Sequence, residues 1–231
     1  MYYPAYGGGG YFFLLILVMV LGFAAQAGVT NTYKKYSQVL ASSRVPAGEL
    51  ARALLRNGGS SVTVNEINGD LTDHFDPRTG VVSLSQSVYP SSSVAALAVA
   101  AHEVGHVMQY EEGYLPIKIR NLLLPAASFA SKASVFIVLA GVLFGIFDLA
   151  MLGVYLFLAM LAFQVVTLPV EFNASRRGID MLTAGGYVTA EEAPMAKSVL
   201  RAAALTYVVA VLSTLVTLLR LFAIANSSRR R

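Results

Sequence analysis

Three stretches of this chain carry almost no charge: residues 11–29, 122–168 and 202–219. A bilayer's hydrocarbon core needs ~20 apolar residues in a helix to cross it. The first and last stretches match one crossing each, and the middle one matches two. In such an environment every backbone polar group must be satisfied within the segment, so helices are the available structure. Asp148, with Gly145 and Gly153 nearby, marks a hairpin turn in the middle of the long stretch. The result is four transmembrane helices. The overall composition, 56% hydrophobic and 13% charged over 231 residues, excludes an ordinary soluble domain.

For the first helix, Tyr11 to Val29, a cleaved signal segment is the rival reading, because Ala25-Gln26-Ala27 resembles a small-residue cleavage site. The run is long for a signal core and no Lys or Arg precedes it, which favours an anchor. Met1 to Gly10, rich in Tyr and Gly, reads as an interfacial leader. The formal charge of +4 does not indicate nucleic acid, since the basic residues lie beside the apolar runs and at the C-terminus rather than in a stripe interleaved with aromatics.

Between the first and second spans the composition turns polar. Pro46 to Asn57 is patterned as a helix, and Ser61 to Glu66 alternates as a short strand. Asp76-Pro77-Arg78-Thr79-Gly80 has turn chemistry and leads into Val81 to Ser85, read as a hairpin or edge strand. Ser91, Ser92 and Ser93 offer an N-cap for an Ala-rich helix that runs to Glu112 and ends at Gly113. The expected organisation is a leader and first span (1–30), a polar domain (31–121), a transmembrane hairpin (122–170), a loop (171–201), and a fourth span with a basic tail (202–231). With four spans the polar domain and the loop share one face. Lys34, Lys35, Lys118, Arg120, Arg176, Arg177 and Arg201 assign that face to the cytoplasm. Arg229, Arg230 and Arg231 oppose this orientation, a conflict that a shorter or re-entrant last helix would remove.

The Ala-rich helix contains His102-Glu103-Val104-Gly105-His106. Four residues apart on a helix, the two imidazoles project from one face and can bind a single zinc ion, with Glu103 beside them as general base. The chain has no Cys and only one further His, His74, so a third ligand has to be found among carboxylates. Glu111 and Glu112 lie too far along the same helix axis and read as a solvated helix end. Glu171 is the better candidate: it follows the third span directly, where a carboxylate is costly without a purpose. The competing reading of Glu171 is an interfacial side chain paired with Arg176 or Arg177. His74 could stabilise an oxyanion beside an edge strand that binds extended substrate, or could be a structural or pH-sensitive His in a turn. Asp73 and Asp76 lack the spacing of a calcium loop and read as solvated acids.

Together these residues resemble the YugP-like family of neutral membrane zinc metallopeptidases. The likeness lies in Leu71-Thr72-Asp73-His74-Phe75-Asp76-Pro77, in Ala101 to His106, and in Thr167-Leu168-Pro169-Val170-Glu171-Phe172-Asn173-Ala174-Ser175. A more distant similarity is to the glutamate-zincins of the HtpX-like and CAAX-processing type. The resemblance implies His102, His106 and Glu171 as zinc ligands and Glu103 as base. In the HtpX-like pattern an Asp follows the ligand Glu by four residues. Ser175 stands there in this chain, a neutral and therefore weaker partner for a zinc-bound His.

The expected fold class is thus mainly α: a four-helix transmembrane protein with a small α+β zincin-like catalytic domain between the first and second spans. The expected activity is zinc-dependent endopeptidase action on membrane or membrane-proximal polypeptides at the bilayer surface, in a bacterial plasma membrane, with the site on the cytoplasmic face. The alternatives are a zinc-containing membrane scaffold or adaptor and, more distantly, a zinc hydrolase acting on a lipid carbonyl. Nothing in the sequence fixes an oligomeric state.

Overall fold

A computed structural model of the chain describes residues 8–228. Two expectations fall wholly or partly outside this range: the terminal Arg229 to Arg231, and the first seven residues of the leader. Gly8, Gly9 and Gly10 are already helical.

The elements in chain order are α1 (Gly8–Tyr36), α2 (Ala47–Asn57), β1 (Thr63–Ile67), β2 (His74–Asp76), β3 (Val81–Ser85), α3 (Val94–Glu111), α4 (Leu115–Leu143), α5 (Phe147–Ala184) and α6 (Ala193–Ser228). Helices α1, α4, α5 and α6 are long and apolar enough to cross a membrane, with mean hydropathies of 2.2, 1.8, 2.3 and 2.3 in their most apolar stretches. Only 11% of that stretch is buried in α1 and 22% in each of the others. Water would not tolerate so much bare apolar surface, whereas a bilayer does.

The chain forms two compact units. One comprises Met1–Ala25, Lys118–Leu168 and Thr206–Arg231. Its core joins α4, α5 and α6 through Val138, Ala150, Val154, Phe157, Leu221 and Ala225. The hairpin turn falls where the sequence places it. Gly145 takes a positive φ of 68°, the Gly145 N–H donates to Val142 and the Ile146 N–H to Gly141, the paired bonds of a glycine-terminated helix end. Asp148 lies in the first turn of α5, where a carboxylate complements the helix dipole.

The other unit comprises Gln26–Ile117 and Pro169–Leu205. Its centre is α3, buried nearly all round. Ser93 caps it by accepting from the Ala96 N–H at 3.2 Å, and Gly113 (φ 66°) follows its end. Helix α2 packs on α3 and β1, and Leu50, Leu55, Leu84, Leu97, Val104 and Leu182 form one core. The sheet order is β1-β3-β2, with β1 parallel and β2 antiparallel to β3.

Two expectations are corrected here. Val81 to Ser85 does form a hairpin with β2, but it is the central strand rather than an edge, and four of its five residues are buried. The edge strand is β2, which His74 itself opens. Residues 171–201 are mostly helix rather than loop: α5 continues unbroken from the apolar run to Ala184, and α6 begins at Ala193. The actual connection is short and closed by Glu192. That carboxylate accepts from the Thr189 N–H at 2.9 Å, and from the Ser42 N–H and hydroxyl at 2.8 and 2.6 Å. Helix α6 is unbroken through Ser228, so the last helix is not a shortened one.

Asp73 is also not a solvated acid. Half-buried, it accepts from the Ser85 N–H at 2.8 Å and from the Ser85 hydroxyl, holding the loop before β2 against the end of β3. Burial pushes its carboxyl above the usual range, against the opposing effect of these bonds.

Candidate metal centre

The antiparallel contact between α3 and the second half of α5 depends on small residues. A Cβ on Gly105 would meet the Ala174 carbonyl oxygen at 2.5 Å, and one on Gly178 would meet the backbone of Ala101 and His102 at 3.0 Å. Glycine at both positions lets two helix backbones approach closely. On α5, Val170, Ala174, Gly178 and Leu182 recur every fourth residue as the buried face.

This approach brings His102, His106 and Glu171 together. The Glu171 Oε2 lies 3.4 Å from the His102 Nε2 and 3.6 Å from the His106 Nε2. One ligand atom from each of the three residues lies within 4.8 Å of the others. The imidazole rings meet edge to face, with centroids 4.7 Å apart at 82°. Four tetrahedral donors around zinc at ~2.0–2.2 Å are separated by about 3.3–3.6 Å. The observed carboxylate-to-imidazole distances lie at that spacing, so two nitrogens and one oxygen suit zinc. Glu171 is 3% exposed, and the Arg177 that might have paired with it instead holds Glu112 at 2.7 Å. The interfacial reading of Glu171 therefore fails. Glu112 ties the end of α3 to α5, while Glu111 accepts from the Ser60 hydroxyl at 2.6 Å.

Hydrogen bonds orient both imidazoles. Gln109, fully buried, directs its amide nitrogen to the Val170 carbonyl at 2.8 Å and to the Asn173 Oδ1 at 2.9 Å. Because the Val170 oxygen only accepts, the Gln109 Oε1 must be the atom 3.0 Å from the His106 Nδ1. His106 therefore donates from Nδ1 and leaves Nε2 towards Glu171 for a cation. Asn173 Oδ1 is held in turn by Arg177 Nε at 2.8 Å. Ser175 reaches the His102 Nδ1 at 3.1 Å, the weak neutral partner that its place in the sequence implied.

Burial opposes charging of His106, but the hydrogen bond to Glu171 and the carboxylates of Glu103 and Glu171 outweigh it and hold the imidazole above its ordinary range. The same field favours a divalent cation. Glu103, 8% exposed, acts on His106 through its charge and is not one of the three donors.

His74 lies outside this group. Its exposed ring bonds through Nδ1 to the Thr72 carbonyl at 2.9 Å. Phe75 packs against Tyr110 of α3, with ring centroids 5.9 Å apart. Strand alternation puts His74 on the opposite side of β2. Gln109, Asn173 and Gly105 were not singled out from the sequence. A Gln one helical turn after a ligand His, and a Gly inside the motif, were the available signals.

Four helices apolar enough to cross a membrane and a three-residue donor group describe a membrane protein with a candidate metal centre, and comparison with known proteins gives its family. The profile of the family described as "Putative neutral zinc metallopeptidase" matches residues 11–226, and the chain belongs to that family. A curated relative, the "Putative membrane protease YugP" of Bacillus subtilis (strain 168), is 43% identical over 210 residues, covering 90% of this chain and 93% of the relative. No solved structure matches the chain.

Proposed function

We propose that the chain is a multi-pass membrane zinc endopeptidase that hydrolyses peptide bonds of membrane or membrane-proximal polypeptides, with His102, His106 and Glu171 as metal ligands and Glu103 as general base. The observation that carries this reading is the convergence of two imidazole nitrogens on one buried carboxylate oxygen, with a second carboxylate next to them that takes no part in the donor group.

Zinc bound there supplies a Lewis acid that polarises a scissile carbonyl and acidifies water. Glu103 takes a proton from the attacking water and returns it to the leaving amine. Gln109 and Ser175 hold the imidazoles in the orientation that presents Nε2, and Glu171 reduces the net charge of the site. Three donors leave a position for reactants, whereas a structural zinc takes four protein ligands. The donor group, gathered among the described residues, has three members, which favours the enzyme over the scaffold. Among the described residues strand β2 pairs only with β3, so its outer edge suits an extended substrate that adds a strand. His74, which opens this strand and is tied back to Thr72, is assigned the role of holding the edge in place.

Glu171 stands two residues after Pro169 in the helix that carries the third apolar run, which supports a site near the bilayer surface. Helix α3, with 18 residues and a packed surface, is not among the helices long and apolar enough to cross a membrane, which supports cleavage outside the membrane rather than within it. Basic residues flanking the runs support the cytoplasmic face of a bacterial plasma membrane.

The test is Glu103→Gln in the purified full-length chain. Cleavage of an unfolded polypeptide should fall by ~10²–10⁴-fold, the range for loss of a general base, while zinc content is unchanged. Undiminished cleavage would sink the assignment.

A further inference from the structure

Outside the metal centre, the second halves of α5 and the first turns of α6 enclose a groove of about 210 Å³. Phe172, Arg176 and Asp180 line it from α5, and Lys197, Leu200 and Arg201 from α6. On both helices the lining residues recur at three- and four-residue intervals, so two stripes face each other. Three cations meet one carboxylate here. None of Arg176, Lys197, Arg201 and Asp180 forms a side-chain ion pair or hydrogen bond among the described residues. This sets them apart from Arg177, which is held by Glu112 and Asn173.

The position along the chain defines the ligand further. Arg201 is the last charge before the uncharged run 202–219 of α6, and Phe172 and Arg176 follow the apolar run that ends at Leu168 of α5. Unpaired cations above apolar side chains, where two membrane-type helices leave their apolar runs, fit an anionic headgroup whose acyl chains continue along apolar surface. The small volume suits a phosphate and its ester linkage rather than a whole lipid. We propose that this groove binds the phosphate of an anionic phospholipid, with Arg176, Lys197 and Arg201 as its cationic contacts and Asp180 limiting the affinity. Ser175, which bonds His102, also lines the groove, so the headgroup is one side chain from the metal centre.

The test reconstitutes the full-length chain in phosphatidylcholine vesicles containing phosphatidylglycerol, and counts retained phosphatidylglycerol by native mass spectrometry after mild detergent extraction. Each cation near such a surface contributes roughly fivefold, so the triple variant Arg176→Gln/Lys197→Gln/Arg201→Gln should retain the lipid about a hundredfold more weakly. Asp180→Asn should retain it roughly fivefold more tightly, a gain that misfolding cannot mimic. A charge-matched control in the polar domain, outside every apolar run, Arg44→Gln/Arg56→Gln/Arg78→Gln, should retain it like the unaltered chain. Equal retention by the two triple variants would overturn the proposal, as would an Asp180→Asn variant that binds no better. Displacement of the lipid by millimolar inorganic phosphate would overturn the lipid assignment by making the groove a site for free phosphate.

Discussion

Replacing Gly105 by alanine adds one methyl group where α3 and α5 lie close together. Its Cβ would stand 2.5 Å from the Ala174 carbonyl oxygen, and 3.1 and 3.2 Å from that residue's carbonyl carbon and Cα. Ordinary contact begins near 3.4 Å, so α5 must withdraw by about 0.9 Å. The obstacle is helix backbone, which cannot rotate aside as a long side chain could. Glu171 precedes Ala174 by less than a turn and moves with it, whereas ligand distances in a zinc site tolerate ~0.2 Å. Overpacking of this kind costs ~1–3 kcal/mol. At ~1.4 kcal/mol per factor of ten, zinc affinity should fall by roughly 5–150-fold. Competition against a chelating dye measures it, and thermal unfolding of the metal-free chain checks that the fold persists. Gly28→Ala is the matched control, because nothing lies within 4 Å of its added Cβ. A folded Gly105→Ala variant with the affinity of the unaltered chain would refute the close-approach argument.

Gln109→Leu removes the bond that fixes the His106 tautomer and should weaken zinc binding by ~10–100-fold, read in the same dye competition. Ser175→Ala should weaken it less, because it deletes only a neutral partner at 3.1 Å. Burial opposes ionisation of Glu192, but hydrogen bonds from Ser42 and Thr189 outweigh it and hold its carboxyl below the usual value of 4.5. Since the folded chain binds that proton less readily than the unfolded one, the stabilisation is complete above about pH 4.5 and is lost as pH falls through the lowered value. The unfolding temperature of Glu192→Gln should therefore lie below that of the unaltered chain at neutral pH, and the gap should close as pH falls below that value.

The four spans were legible because length and hydropathy act along the chain without help from tertiary contacts. The histidine pair was legible for a similar reason, since four-residue spacing on a helix fixes a shared face. Glu171 could be reached by elimination in a chain without Cys and with three His. The continuation of α5 past Leu168 was missed because the change to polar residues reads as an exit from the helix, although Val170, Ala174, Gly178 and Leu182 keep its period. Val81 to Ser85 was misplaced in the sheet because strand order depends on partners distant in sequence. Gln109 and Asn173 act through atoms more than sixty residues apart, and no local pattern reveals such a bond.

X-ray absorption at the zinc edge, on the full-length chain and on Glu171→Ala, tests the shared site most directly. The unaltered chain should hold about one zinc with two imidazole nitrogens at ~2.0–2.1 Å and carboxylate oxygen at ~2.0–2.2 Å, and Glu171→Ala should lose that oxygen with most of the metal. A Glu171→Ala spectrum and zinc content identical to those of the unaltered chain would contradict a centre held jointly by α3 and α5.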